Sequence, residues 1–158
     1  MPSGQPPEAD PSNRAVDDLA EFARDLAGES ARVERGDVGP GLPTLWIEPV
    51  NPRARSVSII GEQWLVVQLG EEGGRWELDY DDADLSLAKR LIEAAHAGRI
   101  VERVAFARSR VTVTFEDGES DSETGYVGCF SGLLPLPGWT RWGREIHFEP
   151  YVVETSNG

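Results

Sequence analysis

Apolar residues recur every three to four positions in two segments of the chain, at about 13–27 and about 84–97. This spacing is that of a helix with one buried face, and it predicts an N-terminal helix and a main helix. Ser12 or Asn13 can cap the first helix, and a run of aspartates can cap the second. A glycine follows each stripe as a stop signal.

Shorter segments alternate between apolar and polar residues, which is typical of strands. Asp117-Gly118 predicts a hairpin turn, and Pro49 places the strand before it at a sheet edge, because proline cannot donate to a sheet ladder. Residues 31–43, which are rich in glycine and proline, are expected to be a connector. We expect strands at 44–48, 56–60, 63–69, 75–80, 100–108, 110–116, 119–126 and 145–153.

Together these elements predict an α+β fold. We expect an antiparallel sheet of about six to eight strands, with the main helix and the N-terminal helix packed on one face. The length of 158 residues suits a single domain, which we place at 13–154. Residues 1–12 are proline-rich and are expected to be a disordered tail, and residues 155–158 are expected to fray.

The net charge of −13 excludes some classes of partner. Nucleic acids and anionic membranes are bound through clustered lysine and arginine, so neither is expected as a partner. No apolar run is long enough to span a bilayer. Because Cys129 is the single cysteine and the N-terminus lacks a secretion signal, the sequence predicts a cytoplasmic protein.

Acidic residues are concentrated in two segments. Residues 71–84 contain seven acids and one base, residues 116–123 contain five acids and no base, and residues 89–110 are mainly basic. If the two acidic segments converge, they form a rim that binds a basic protein partner. The alternative is that turns are simply polar and solvated. The candidate rim residues are Asp79, Asp81, Asp82, Asp84, Glu116, Asp117 and Glu119, with Trp139 and Trp142 as aromatic anchors or as residues that close the core.

Motifs for metal, nucleotide or cofactor binding are not present in the sequence. An EF-hand loop begun at Asp79 would place Ala83 and Arg90 at ligand positions, so the calcium motif fails. Two histidines and one cysteine are too scattered for a zinc site. We therefore expect no cofactor and no metal.

An enzyme or ligand-binding domain is the alternative function. Cys129 could act as a nucleophile with His147 as its base, in an aromatic-lined pocket that also contains Glu123 and Tyr126. No local signature surrounds Cys129, and a lone cysteine is also a common small buried residue.

The favoured prediction is a small acidic interaction module that binds and masks a basic protein. Bacterial immunity proteins against nuclease-like toxins are similar in general character, since they are compact, cytosolic, acidic and free of catalytic motifs. This similarity is one of character alone, because no family motif can be placed on the sequence residue by residue.

Overall fold

The structure, a computed structural model, describes residues 10–128 and 132–153. It is an α+β fold with two antiparallel sheets, which share a core with the two longer helices. The helices are α1 (Pro11–Ala27), α2 (Asp82–His96) and the short α3 (Trp139–Trp142), with a turn of 3-10 helix at Gly28–Ser30.

The first sheet is a five-stranded meander in which each strand pairs with the next one along the chain. Its inward residues alternate with outward ones, and the inward set includes Leu45, Ile59 and Val67, all of which are fully buried. The strands are β1 (Ala31–Asp37), β2 (Pro43–Pro49), β3 (Val57–Gly61), β4 (Leu65–Gln68) and β5 (Arg75–Leu78).

The second sheet has four strands in the order β8-β7-β6-β9. The last strand of the chain returns to pair with β6, so β8 and β9 form the edges. Its strands are β6 (Ile100–Ala105), β7 (Arg108–Thr114), β8 (Ser120–Tyr126) and β9 (Arg144–His147).

The two helices pack differently from the expectation of one sheet with both helices on one face. Helix α1 packs against β1, β2 and β3, whereas α2 contacts both β5 of the first sheet and β7 of the second. The single sheet of six to eight strands is therefore wrong: nine strands in the described part of the chain form two sheets, and α2 bridges them.

Several boundaries differ from the sequence prediction. Asp10 caps α1, with its carboxylate accepting from the Ser12 N–H, so the helix begins inside the segment assigned to the tail. The prediction for residues 1–9 lies outside the described residues. Strand β2 is internal, because Pro43 and Pro49 stand at its ends and not within it. The predicted strand at 145–153 is shorter, since β9 ends at His147.

The segment that was expected to be a connector contains β1. Its inward position Arg35 is charged, which hides the apolar alternation that would identify a strand. Helix α1 neutralises this arginine, since Asp17 forms an ion pair with it at 2.8 Å and the Asn13 amide oxygen accepts from it at 2.8 Å. The inward side of β1 therefore combines the apolar Ala31 and Val33 with an arginine that is paired to α1.

A buried polar junction joins the two sheets. Glu102 of β6 is only 2% exposed, and Ser109 of β7 is only 1% exposed. The Ser109 hydroxyl donates to Glu102 Oε1 (2.8 Å) and accepts from the Gly73 N–H (2.7 Å). Glu102 Oε1 also accepts from the Glu71 N–H (3.2 Å). The loop between β4 and β5 is thereby held on the second sheet by two side chains that stand where apolar residues are usual.

Glycines allow this close approach of the loop to the sheet. A Cβ atom on Gly125 of β8 would lie 1.7 Å from the Glu72 carbonyl oxygen, and one on Gly73 would lie 2.4 Å from the Ser109 carbonyl oxygen. Both contacts are with backbone atoms, which cannot move aside like the end of a side chain. Any larger residue at either position would push the sheets apart.

We predict that Ser109→Ala lowers the free energy of unfolding by about 1–3 kcal/mol, because it leaves the buried Gly73 N–H without its acceptor. Ser122→Ala is the matched control, since it removes an exposed hydroxyl that hydrogen-bonds Thr112 at 2.9 Å. The control should cost less than about 0.5 kcal/mol. Urea unfolding at neutral pH measures both values, and equal losses would contradict a special role for the buried junction.

Candidate functional site

The strands β5 and β8 bring the two acidic segments of the sequence side by side. The Gly74 N–H donates to the Glu123 carbonyl oxygen (3.2 Å), and the Trp76 indole N–H donates to Asp121 Oδ2 (3.0 Å). We call the surface formed by the acidic residues of 71–84 and 116–123 the acidic seam. It contains twelve of the 28 acidic residues of the chain.

The two strands run in opposite directions along the seam. As β5 advances from Gly74 to Trp76, the contacts on β8 move back from Glu123 to Asp121. The acids that follow β5 and the acids that precede β8 therefore point toward the same end of the seam. The contacts between the two segments run from Gly74 to Trp76 on one and from Glu123 to Asp121 on the other.

The middle of the seam gathers like charges at a partly buried position. Burial, together with the nearby carboxylates of Asp121 and Glu77, raises the pKa of Glu123. Both the burial and the neighbouring negative charges disfavour the ionised form of Glu123. The seam is therefore a place where the fold tolerates carboxylates at a cost in stability, a feature that is common at functional sites.

Two arginines offset part of this charge. Arg75 forms an exposed ion pair with Glu77 (3.2 Å). Arg90 of α2 pairs with Asp117 (2.6 Å) and Glu119 (3.3 Å). Over the described residues, these are the only cations within ion-pair distance of the seam carboxylates, so most of the negative charge faces solvent.

Some of the predicted rim acids have a local structural role. Asp81 caps α2 by accepting from the Asp84 N–H (2.8 Å), and the Asp84 carboxylate accepts from the Asp79 N–H (2.6 Å). Oxygens of these three side chains lie within 4.8 Å of one another. Helix capping accounts for that proximity. Asp82 remains exposed beside them without a capping contact.

The tryptophans expected to anchor a partner at the rim lie elsewhere. Trp139 is 8% exposed and packs on the outward side of β7, where its ring lies 5.8 Å from the Arg110 guanidinium. Trp142 is 58% exposed, and its indole N–H donates to the Pro137 carbonyl oxygen (3.1 Å). Trp139 thus packs beside arginines, and Trp142 contacts its own loop.

The residues considered for an enzyme site are not all brought together. Glu123 shares a row across the sheet with Val111, Glu102 and Ile146, so it lies on the opposite face from His147, about 14 Å away across three strand spacings. His147 is bonded instead to Glu145. Tyr126 is exposed at the end of β8, and the prediction for Cys129 lies outside the described residues.

Sequence reasoning did not single out four acids of the seam: Glu71, Glu72, Glu77 and Asp121. All four lie in the acidic segments, but nothing in sequence distance shows that β5 and β8 are neighbours, because 45 residues separate Trp76 from Asp121. The available signal was the glycine cluster at 70–74 together with Gly125, which marks places of close backbone approach.

Comparisons with known proteins give no assignment: no family model, no curated protein and no solved structure matches the chain significantly. No helix in the described ranges combines the length and the apolar character that are needed to cross a membrane. The function therefore has to be inferred from the seam and the surfaces around it.

We predict that Glu123→Gln raises the melting temperature at pH 7. The pKa of Glu123 is raised above its ordinary value of 4.5 by folding, so the ionised form destabilises the folded state at neutral pH. As the pH falls through the raised pKa, wild-type Glu123 becomes protonated and the advantage of the variant should disappear. Thermal unfolding from pH 7 to pH 4 tests this, with Glu21→Gln on α1 as the control. A gain that is the same at every pH would contradict the assignment.

Proposed function

We propose that this protein is a small protein-binding module that docks a basic surface of a protein partner along the acidic seam and masks that surface. The observation that carries the proposal is the contact of β5 with β8, which brings parts of the two acidic segments side by side. A partner of opposite charge would be steered toward it and would relieve the repulsion among its carboxylates.

The local energetics support a binding role more than a structural one. Carboxylates that served only solubility would gain nothing from being gathered around Glu123, where burial and neighbouring acids raise its pKa. Dispersed exposed acids would give the same solubility without the unfavourable free energy of an ionised, partly buried Glu123. A cluster in which a partly buried Glu123 lies near Asp121 and Glu77 is instead suited to receive arginine or lysine side chains.

The masking role is inferred from the number of elements that contribute to the seam. It includes the loop between β4 and β5, the edge strand β8 and the N-terminal end of α2, so a partner would contact several elements that the fold holds together. Docking on such a surface covers the cationic residues of the partner. This is the action of an inhibitor or an immunity-like protein on a basic target.

Charge neutralisation tests the proposal most sharply at acids that make no contacts of their own. Among the described residues, Glu72, Asp82 and Glu116 have exposed carboxylates with no hydrogen bond or ion pair. We call Glu72→Gln/Asp82→Asn/Glu116→Gln the seam variant. The helix variant is the matched control, with the same change in net charge at exposed acids of α1: Asp18→Asn/Glu21→Gln/Asp25→Asn.

The seam variant should capture about tenfold less of its partner from a lysate of the source cells, because three exposed charge pairs at about 0.5 kcal/mol each are lost. The helix variant should capture as much as the wild type. Quantitative mass spectrometry of the bound proteins at low and high salt measures both. If both variants lose partner capture equally, net charge alone explains the effect. If the seam variant captures as much partner as the wild type, the seam is not the docking surface.

A further inference from the structure

The outward face of the second sheet has a chemistry opposite to that of the seam. Val111 and Val113 of β7 point into the core, so the alternate residues Arg108, Arg110 and Thr112 point outward. The short helix α3 lies over this side, because Trp139 packs near the Arg110 guanidinium.

Two arginines stand directly opposite each other on this face. Arg103 of β6 and Arg110 of β7 are register partners, an arrangement that is unfavourable for like charges. Arg103 is compensated, since it forms an ion pair with Glu145 and donates to the Arg141 carbonyl oxygen (2.9 Å). Arg110 has a weaker set of partners: its Nε donates to the Thr124 hydroxyl (2.9 Å), and its guanidinium lies near the ring of Trp139.

Arg110 is therefore a cation without a carboxylate partner among the residues that the structure describes. Its neighbours on the β8 side are neutral hydroxyls, since Thr112 pairs with Ser122 and Thr124 accepts from Arg110. The guanidinium is held by this hydrogen bond and by an aromatic ring. Because Nε donates to Thr124, a carboxylate would accept two parallel hydrogen bonds from the two terminal nitrogens of the guanidinium.

Exposed apolar residues lie next to Arg108, which lies two positions before Arg110 on the same side of β7 and shares the Trp139 ring with it. The Arg108 side chain donates to the Phe106 carbonyl oxygen (3.3 Å) and the Leu134 carbonyl oxygen (2.7 Å), and its guanidinium lies 5.3 Å from the centre of the Tyr126 ring. The large exposed groups around it include Phe106 at 74% and Leu133 at 77% exposure. We call this surface the arginine–aromatic face: Arg110, Phe106, Tyr126, Leu133, Leu134 and Trp142.

We propose that the arginine–aromatic face binds a short acidic segment of a protein partner that also carries apolar side chains. Aromatic residues and arginine are the residue types enriched in the centre of protein interfaces. Charge complementarity selects an acidic occupant, with one carboxylate on Arg110 and apolar side chains against Leu133 and Trp142.

The position of the face explains why the occupant is a short segment and not a nucleic acid. Strand β8 separates β7, which carries Arg110, from the seam carboxylates, and neighbouring strands are only about 5 Å apart. A long polyanion laid over the face would extend into the field of the seam, which is within about a Debye length. A segment with one or two acids can satisfy Arg110 without that repulsion.

Selection from a random short-peptide library displayed on phage tests this proposal at physiological ionic strength. We expect one class of selected peptides to combine acidic with leucine or aromatic residues. The dissociation constant of such a peptide should rise at least about tenfold with Arg110→Gln and with Leu133→Ser. Leu133 is so exposed that its replacement should leave the fold intact, which circular dichroism verifies. Arg24→Gln on α1 is the matched control and should leave the affinity unchanged.

Three outcomes would overturn the proposal. The first is a selection that yields no acidic class, and the second is an acidic peptide that binds the Arg110→Gln and Leu133→Ser variants as well as the wild type. The third is tighter binding of single-stranded oligothymidylate than of the acidic peptide, which would assign the face to nucleic acid. The seam variant distinguishes this proposal from the proposed function. Removal of seam acids should weaken binding of the basic partner but should not weaken binding of an acidic peptide.

Discussion

The architecture depends on a close contact between the glycine-rich loop before β5 and the inner side of the second sheet. Glu102 and Ser109 provide the acceptors for the backbone N–H groups of this loop, and Gly125 lets its backbone approach β8. Besides this contact, the two sheets are connected through α2 and through the segment after β9, where Glu149 pairs with Arg53 (3.0 Å) and the Tyr151 hydroxyl donates to the Arg55 carbonyl oxygen (2.8 Å). A buried carboxylate is expensive unless it is hydrogen-bonded, so the junction is also a point at which small changes should have large effects on stability.

The same contact creates the surface on which the proposed function rests. Because β5 lies against β8, segments that are far apart in the sequence place their carboxylates together. Burial at this contact, together with the neighbouring carboxylates of Asp121 and Glu77, raises the pKa of Glu123. On the far side of the same edge strand, Arg110 and exposed apolar groups form a face of opposite character. The protein therefore presents two chemically distinct surfaces on either side of β8, within a molecule whose net charge of −13 would suggest uniform repulsion of anions.

Local signals predicted those elements that are specified locally. Helices α1 and α2 and the Asp117-Gly118 hairpin follow from periodicity, capping and turn chemistry, which act over a few residues. The division into two sheets was not predictable in this way, because it is set by long-range contacts of polar residues. The polar residue types of Glu102 and Ser109 predict exposed positions, although both side chains are buried. The charged Arg35 interrupts the apolar alternation by which β1 could have been predicted. The contact between parts of the acidic segments could be stated as a hypothesis, but the place of Trp139 beside Arg110 could not.

The most direct test of the central claim uses a defined basic probe. The melting temperature would be measured at low ionic strength, with and without an octalysine peptide, for the wild type, the seam variant and the helix variant. If the seam is a preferred site for cations, octalysine should stabilise the wild type and the helix variant by mass action and stabilise the seam variant much less, and high salt should abolish the difference. An equal stabilisation of all three proteins would contradict the account, because the rise in melting temperature would then not depend on the seam acids.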